Sequence, residues 1–155
     1  MEEFFHYLQH TQFAVFIGRQ DQMVGAVAQL VHIAGLILVL APILLISLRL
    51  FGTGLVSQTP EQLARATAPF IWIGLVLLAL SGIIIFLPVA AHYYPNPIFR
   101  FKFVLLGFAL LFHLTWYRKV VYGNGGVAWI NGSTAAVALV AWFGVAYAGR
   151  FIGFF

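Results

Sequence analysis

The sequence predicts an all-α integral membrane bundle of four helices, preceded by an amphipathic helix at the interface. Three observations predict it. The 155-residue chain is 63% hydrophobic and only 8% charged, against about 25% charged in soluble domains, and its mean hydropathy is +0.99. Its apolar residues fall into four runs, each long enough to cross roughly 30 Å of hydrocarbon. Basic and turn residues gather between the runs, as they do at membrane interfaces. At this length the chain is a single membrane domain, residues 1–155.

Residues 1–20 mix Phe4, Phe5, Leu8, Phe13, Phe16 and Ile17 with Glu3, His6, Gln9, His10 and Gln12. The spacing Phe5, Leu8, Gln12, Phe16 is roughly helical, with apolar residues on one broad side, which predicts one helix lying in the interface plane. The acidic start and polar content do not fit a cleavable signal, so insertion is expected to rely on the internal spans.

Span one is expected over 23–48, with Asp21 as N-cap and a bend at Pro42, which removes a backbone hydrogen bond. Thr59-Pro60-Glu61 reads as a helix start, with Thr59 the cap and Pro60 the first helical residue. Span two is expected over 66–89, with Ser81-Gly82 a small step where a neighbour can approach. Tyr93 and Tyr94 fit an interfacial aromatic belt. Span three is expected over 98–116, opened by Pro97, with Arg100 and Lys102 snorkelling to the head groups. A turn is expected over 123–126. Span four is expected over 134–152, starting from Asn131 or Ser133; its small residues, with Gly149 and Gly153, predict close packing or a dimer face.

Four spans put both termini on one side, side A, with Arg19, Arg100, Lys102 and Arg150; side B carries Arg49, Arg65, Arg118 and Lys119. Four basic residues on each side leave the positive-inside rule balanced. Side B is favoured as cytoplasmic because side A also holds Glu2, Glu3 and Asp21, so both termini are expected to be periplasmic. The net charge of +4 suits lipid phosphates; nucleic acid is not an expected partner.

The chemistry is limited by what the spans lack. There is no cysteine, which excludes disulfides, iron–sulfur clusters and thiolate chemistry. No carboxylate lies within a span, which disfavours proton relays, cation transport and acid–base hydrolysis. What remains at membrane depth is His32 and His113, and such groups suggest function by default. Two imidazoles on facing helices can ligate one b-type haem. His32 lies eleven residues beyond Asp21, and His113 eleven beyond Lys102, each about 16 Å at 1.5 Å per residue. A ruler laid from the far ends, Arg49 and Arg118, instead offsets the two by about 18 Å. The first ruler is adopted because span one can project beyond the bilayer on side B. Gly25, Ala28 and Gly35 share a stripe with His32 and leave room for a flat macrocycle; Ala109 and Trp116 flank His113. Arg100, Lys102 and Arg150 could pair with haem propionates or with lipid phosphates. Against this stands ordinary hydrogen bonding of each histidine to a neighbour such as Ser47, Thr67, Ser81, Thr115 or Thr134. A separate copper or zinc site could be built from His6, His10 and His92 near side A.

The segments Val31–Leu40 (VHIAGLILVL), Leu48–Gly52 (LRLFG), Ala68–Leu75 (APFIWIGL), Ser81–Phe86 (SGIIIF), Tyr94–Lys102 and Leu110–His113 (LLFH) together carry a resemblance. Over about residues 22–120 the chain resembles small bacterial four-helix membrane proteins distantly similar to the CopD copper-resistance group. The resemblance implies a bacterial inner-membrane protein with a histidine in its first and third spans, where His32 and His113 fall, and a link to copper. Two methionines and no cysteine argue against a soft-ligand copper(I) route. Three functions stay open: a cytochrome-like protein binding haem b for electron transfer, a cofactor-free accessory subunit of a larger membrane complex or a homo-oligomer, and a copper-related protein.

Overall fold

The computed structural model describes residues 2–93, 95–123 and 127–152, so the belt residue Tyr94, the turn at 124–126 and Gly153 lie outside the described residues. Among the described residues the fold is all-α. Two short helices, α1 (Glu2–Gln9) and α2 (Gln12–Gly18), precede four long ones. These are α3 (Gln22–Leu50), α4 (Pro60–Tyr93), α5 (Pro97–Tyr122) and α6 (Ala128–Phe151), each long and apolar enough to cross a membrane.

Local chemistry explains the helix starts. Thr59 accepts from Gln62 N while Gln62 Oε1 accepts from Thr59 N, a reciprocal capping box with Pro60 at the first helical position. Asn96 Oδ1 accepts from the amides of Ile98 and Phe99 and starts α5. Asp21 stands at the N-cap of α3 but makes no side-chain cap bond. Helix α6 starts at Val127, ahead of Asn131 and Ser133. All four long helices begin earlier than the apolar runs suggest, because caps and amphipathic first turns extend beyond the hydrocarbon.

The expected single N-terminal helix is two. Thr11 breaks it: its hydroxyl donates to Leu8 O at 2.8 Å and accepts from Ala14 N at 3.3 Å, ending α1 and capping α2. Gln9 Oε1 accepts from Ala91 N at 3.0 Å, and Phe5 meets Phe86 edge-on at 6.1 Å, so α1 is fixed to the side A end of α4. Phe4, Tyr7, Phe13 and Phe16 remain exposed.

Helices α3 and α4 make the closest contact in the bundle. A Cβ at Gly35 would lie 2.9 Å from Gly74 O, and one at Gly74 would lie 2.7 Å from Gly35 O. Small residues thus bring the two backbones together; Gly35 serves this crossing rather than a macrocycle. Helix α6 packs on α3 through Ala135, Ala138, Ala141 and Trp142, and α5 packs on the other flank of α6. The order around the bundle is therefore α4, α3, α6, α5. Helix α5 meets α4 through its last turns, Arg118–Tyr122. Above that contact the two helices part, and a cleft opens between them.

Candidate functional site

The fate of each histidine follows from its neighbours. His32, on α3, places Nδ1 2.9 Å from Ser81 Oγ on α4. The Ser81 hydroxyl donates its one proton to Leu77 O at 2.5 Å, so it accepts from His32 Nδ1–H. A serine has one proton to give and lone pairs to spare. The chain His32 to Ser81 to Leu77 is thereby satisfied within two helices. Lys102, on α5, comes within electrostatic reach of His32. Its ammonium lies against Gly149, near the side A end of α6, where a Cβ would stand 3.2 Å from Nζ. Arg100 and Arg150 are exposed.

His113 sits elsewhere. It opens a π-helical turn, His113–Tyr117, inside α5. Such turns insert one extra residue into an α-helix and recur at functional sites. The extra residue brings His113 and Tyr117 into a near-parallel stack, 4.9 Å between centroids at 22°. Trp142 of α6 meets the His113 ring edge-on at 6.0 Å and 90°. Tyr117 is turned inward so that its hydroxyl faces Ser47 of α3, yet neither hydroxyl completes a hydrogen bond. Ser47 Oγ, His113 Nδ1, Tyr117 Oη and Trp142 Nε1 are all buried without a partner among the described residues.

The levels are read on α4: His32 meets Ser81, whereas His113 opens on a cavity lined by Ala64, Ala68, Ile71, Trp72 and Leu75. Those residues lie six to seventeen positions before Ser81 on α4, or about 9–25 Å along the helix. Ile46 of α3, in the same cavity, agrees. One iron cannot take both rings, because a metal–imidazole bond is only about 2 Å long. The structure places His32 beside Ser81 and His113 beside the Ala68–Trp72 wall, on separate levels of the bundle. The flanking residues part as well. Ala28 and Ala109 are buried in helix packing, and Trp116 turns to α6, where its indole donates to Thr134 Oγ1 at 3.1 Å.

The His113 cavity has a volume of about 150 Å³ and lies between α4 and α5. Ala64, Ala68, Ile71, Trp72 and Leu75 form its α4 wall; Leu110, His113, Leu114 and Tyr117 form its α5 wall. At its side B rim Tyr122 carries two guanidinium groups, Arg65 at 5.6 Å and Arg118 at 5.7 Å from the ring centroid. Arg65 is also held by Glu61 at 2.8 and 3.0 Å.

At the other end, His6 and His10 stack at 4.3 Å, with His10 Nδ1 bonded to His6 O at 2.7 Å. They line an open depression with Glu3, Tyr7 and Pro95, whereas His92 is exposed beside Tyr93. Among the described residues no group of three His, Cys, Asp or Glu side chains could hold a metal ion, so the structure does not assemble His6, His10 and His92 into one site.

Sequence reasoning found His113 with Tyr117 one turn after it, but missed Trp142 of α6 as its edge-on companion. The signal for the first pair was the spacing His113–Tyr117, one helical turn apart in an apolar run. Residues 4–155 match the profile of a family of unknown function, DUF6644. No curated protein and no solved structure matches the chain.

Proposed function

We propose, for a chain that belongs to this family of unknown function and so inherits no activity from it, that it is a membrane-embedded binding protein. It takes a hydrogen-bond-accepting head group from the bilayer into the cleft between α4 and α5. The observation that supports this reading is the polar lining of the cleft at the π turn, where His113 Nδ1 and the Tyr117 hydroxyl are buried without a partner among the described residues. Within lipid there is no water to satisfy such groups, and each costs about 1–3 kcal/mol when left bare. The lining also donates: the Tyr117 and Tyr122 hydroxyls each have a proton to give, and the Arg118 guanidinium only donates. The occupant that suits it supplies acceptors. A cleft open between two lipid-facing helices suits an occupant that arrives sideways from the membrane.

Haem and copper fare differently from this group. The residues do not fit one haem held by His32 and His113, for the axial reason given above, and a cavity of about 150 Å³ takes one benzene-sized ring rather than a macrocycle. The side A histidines do not converge on copper. The protein is read as residing in a bacterial inner membrane, with side B cytoplasmic and both termini periplasmic. It works there as a subunit beside other membrane proteins or a second copy of itself; the exposed Gly25 on α3, with no neighbouring atom within 4 Å of a Cβ, leaves a small-residue face for one.

The test is extraction of lipids that co-purify with the full chain in mild detergent. Wild-type protein is expected to retain about one equivalent of a carbonyl-bearing lipid, and Tyr117→Phe and Ala68→Phe to lose most of it, with His32→Ala as a control that keeps it. Equal lipid content in wild type and both cleft variants would overturn the reading.

A further inference from the structure

Resting on the cleft reading above, we propose that the occupant is an anionic phospholipid, with its phosphate on Arg118 at the side B mouth and one acyl chain laid between α4 and α5. Charge is the first argument. The chain has four acidic side chains, Glu2, Glu3, Asp21 and Glu61. Three of them precede α3, and Glu61 is bound to Arg65 at 2.8 and 3.0 Å. Arg118 lines the cavity, is exposed at its mouth, and has no carboxylate partner among the described residues. Arg65 and Glu61 cancel, so Arg118 leaves the mouth with a net positive charge. A planar guanidinium matches two phosphate oxygens at once, and basic pockets between membrane helices are seats for anionic head groups.

Shape is the second argument. The α4 wall of the cavity runs from Ala64 to Leu75, eleven residues or about 16 Å. A volume of about 150 Å³ set along that wall makes a slot for one chain rather than a chamber. Its inner part, with Ile71, Leu75, Leu110 and Leu114, is apolar; Arg118 and Tyr122 stand at the outer end. A phospholipid has the same order of groups, chain inward and phosphate outward.

Tyr117 is the third. It lines the slot one residue before Arg118, is 2% exposed, and its hydroxyl has no partner among the described residues. The ester carbonyls of a glycerophospholipid lie just below its phosphate. With the phosphate on Arg118, they come to the level of Tyr117, where a buried hydroxyl has a proton to give. A zwitterionic head group fits less well, because it brings a cation too. The Tyr122 ring, the seat for a quaternary ammonium, already carries Arg65 and Arg118 at 5.6 and 5.7 Å, and Glu61 is committed to Arg65.

The experiment uses the full chain, delipidated in mild detergent and incubated with equimolar phosphatidylglycerol and phosphatidylcholine. The protein is repurified and its retained lipids are counted by mass spectrometry. Wild type is expected to prefer phosphatidylglycerol by about fivefold, the worth of one basic residue at an anionic head group. Arg118→Gln is expected to bring the two lipids to parity, with wild-type helical circular dichroism, and Lys119→Gln, outside the cavity lining, to keep the preference. Glu61→Gln releases Arg65 and is expected to raise the preference, a gain that misfolding cannot imitate. Parity in the wild type, or a preference that survives Arg118→Gln, would overturn the anionic lipid; if Ala68→Phe still loses its lipid in that case, the cleft stands. Equal lipid content in wild type and Ala68→Phe would bring down both. Displacement of phosphatidylglycerol by millimolar glycerol phosphate would overturn the lipid and assign Arg118 to a free phosphate.

Discussion

Tyr117 is the residue on which most of this chemistry converges. Its ring is 2% exposed, its hydroxyl has no partner, and it stacks on a histidine whose Nδ1 is also bare. A buried hydroxyl left unpaired costs about 1–3 kcal/mol, while removing it leaves an isosteric ring. Tyr117→Phe is therefore expected to stabilise the delipidated protein by about 1 kcal/mol and to weaken lipid retention in the cleft. Equal Tm values for the two delipidated proteins would mean that the hydroxyl is satisfied. His32 is the opposite case. Ser81→Ala strands its Nδ1–H, and membrane hydrogen bonds are worth about 0.6–2 kcal/mol, so a loss of that order in thermal unfolding is expected with no loss of ligand. Ser81 was one of five hydroxyls the sequence offered to either histidine, and the structure selects it for His32. The bare atoms were not legible, because sequence shows which side chains are polar and not which ones lack a neighbour.

At the scale of elements, two features set the shape of the cleft. The first is the glycine crossing. Gly74→Ala puts a Cβ against backbone, 2.7 Å from Gly35 O, and against Val39; neither can yield as a flexible side-chain tip would. Overpacking of this kind costs about 1–3 kcal/mol. Gly25→Ala, on the same helix, meets nothing and gains up to about 1 kcal/mol of helix propensity. Opposite shifts in Tm are expected; a shared sign would show that α3 and α4 do not cross at these glycines. The second feature is the π turn. Deleting the exposed Leu114 removes the extra residue and restores an α-helix. Its expected result is a folded protein, by circular dichroism, that binds more weakly in the cleft, because His113 and Tyr117 move from an i,i+4 to an i,i+3 offset and their stack is reset. Unaltered binding would separate the site from the π geometry. The long helices and the Thr59-Pro60 cap were legible from hydropathy and cap chemistry. The π turn was not, since nothing in His113–Tyr117 departs from ordinary helix-forming sequence; nor was the break at Thr11, where a hydroxyl in an otherwise continuous amphipathic pattern chose the backbone over the helix.

For the whole molecule the decisive quantity was the depth of each helix relative to its neighbours, which only contacts between helices fix. Lys102 was taken as a marker of the side A surface, as a snorkelling lysine would be. Its ammonium lies against Gly149, three residues before the Ile152 cap of α6. The contacts on α4 are what separate the two histidines: Ser81 meets His32, and Ala68 and Trp72 line the cavity of His113. The same registration puts Arg49, Arg65 and Arg118 near one another at the side B end, beside the rim of the cleft. Topology follows, and a chain without cysteine lends itself to single-cysteine labelling in intact cells. If α3 and α4 both cross, Asp21 and His92 lie on one side and the turn at Thr53 on the other, and α5 and α6 repeat the pattern through Gly123. With side B cytoplasmic, Asp21→Cys and His92→Cys are expected to react with an impermeant maleimide from outside, and Thr53→Cys and Gly123→Cys only after permeabilisation. The reverse pattern would invert the orientation and turn the Tyr122 rim outward, leaving the fold intact. Asp21 and His92 reacting from different sides would be more serious: one of α3 and α4 would then fail to cross, the glycine pairing could not hold along the bundle, and a cleft entered from the bilayer would lose one of its walls.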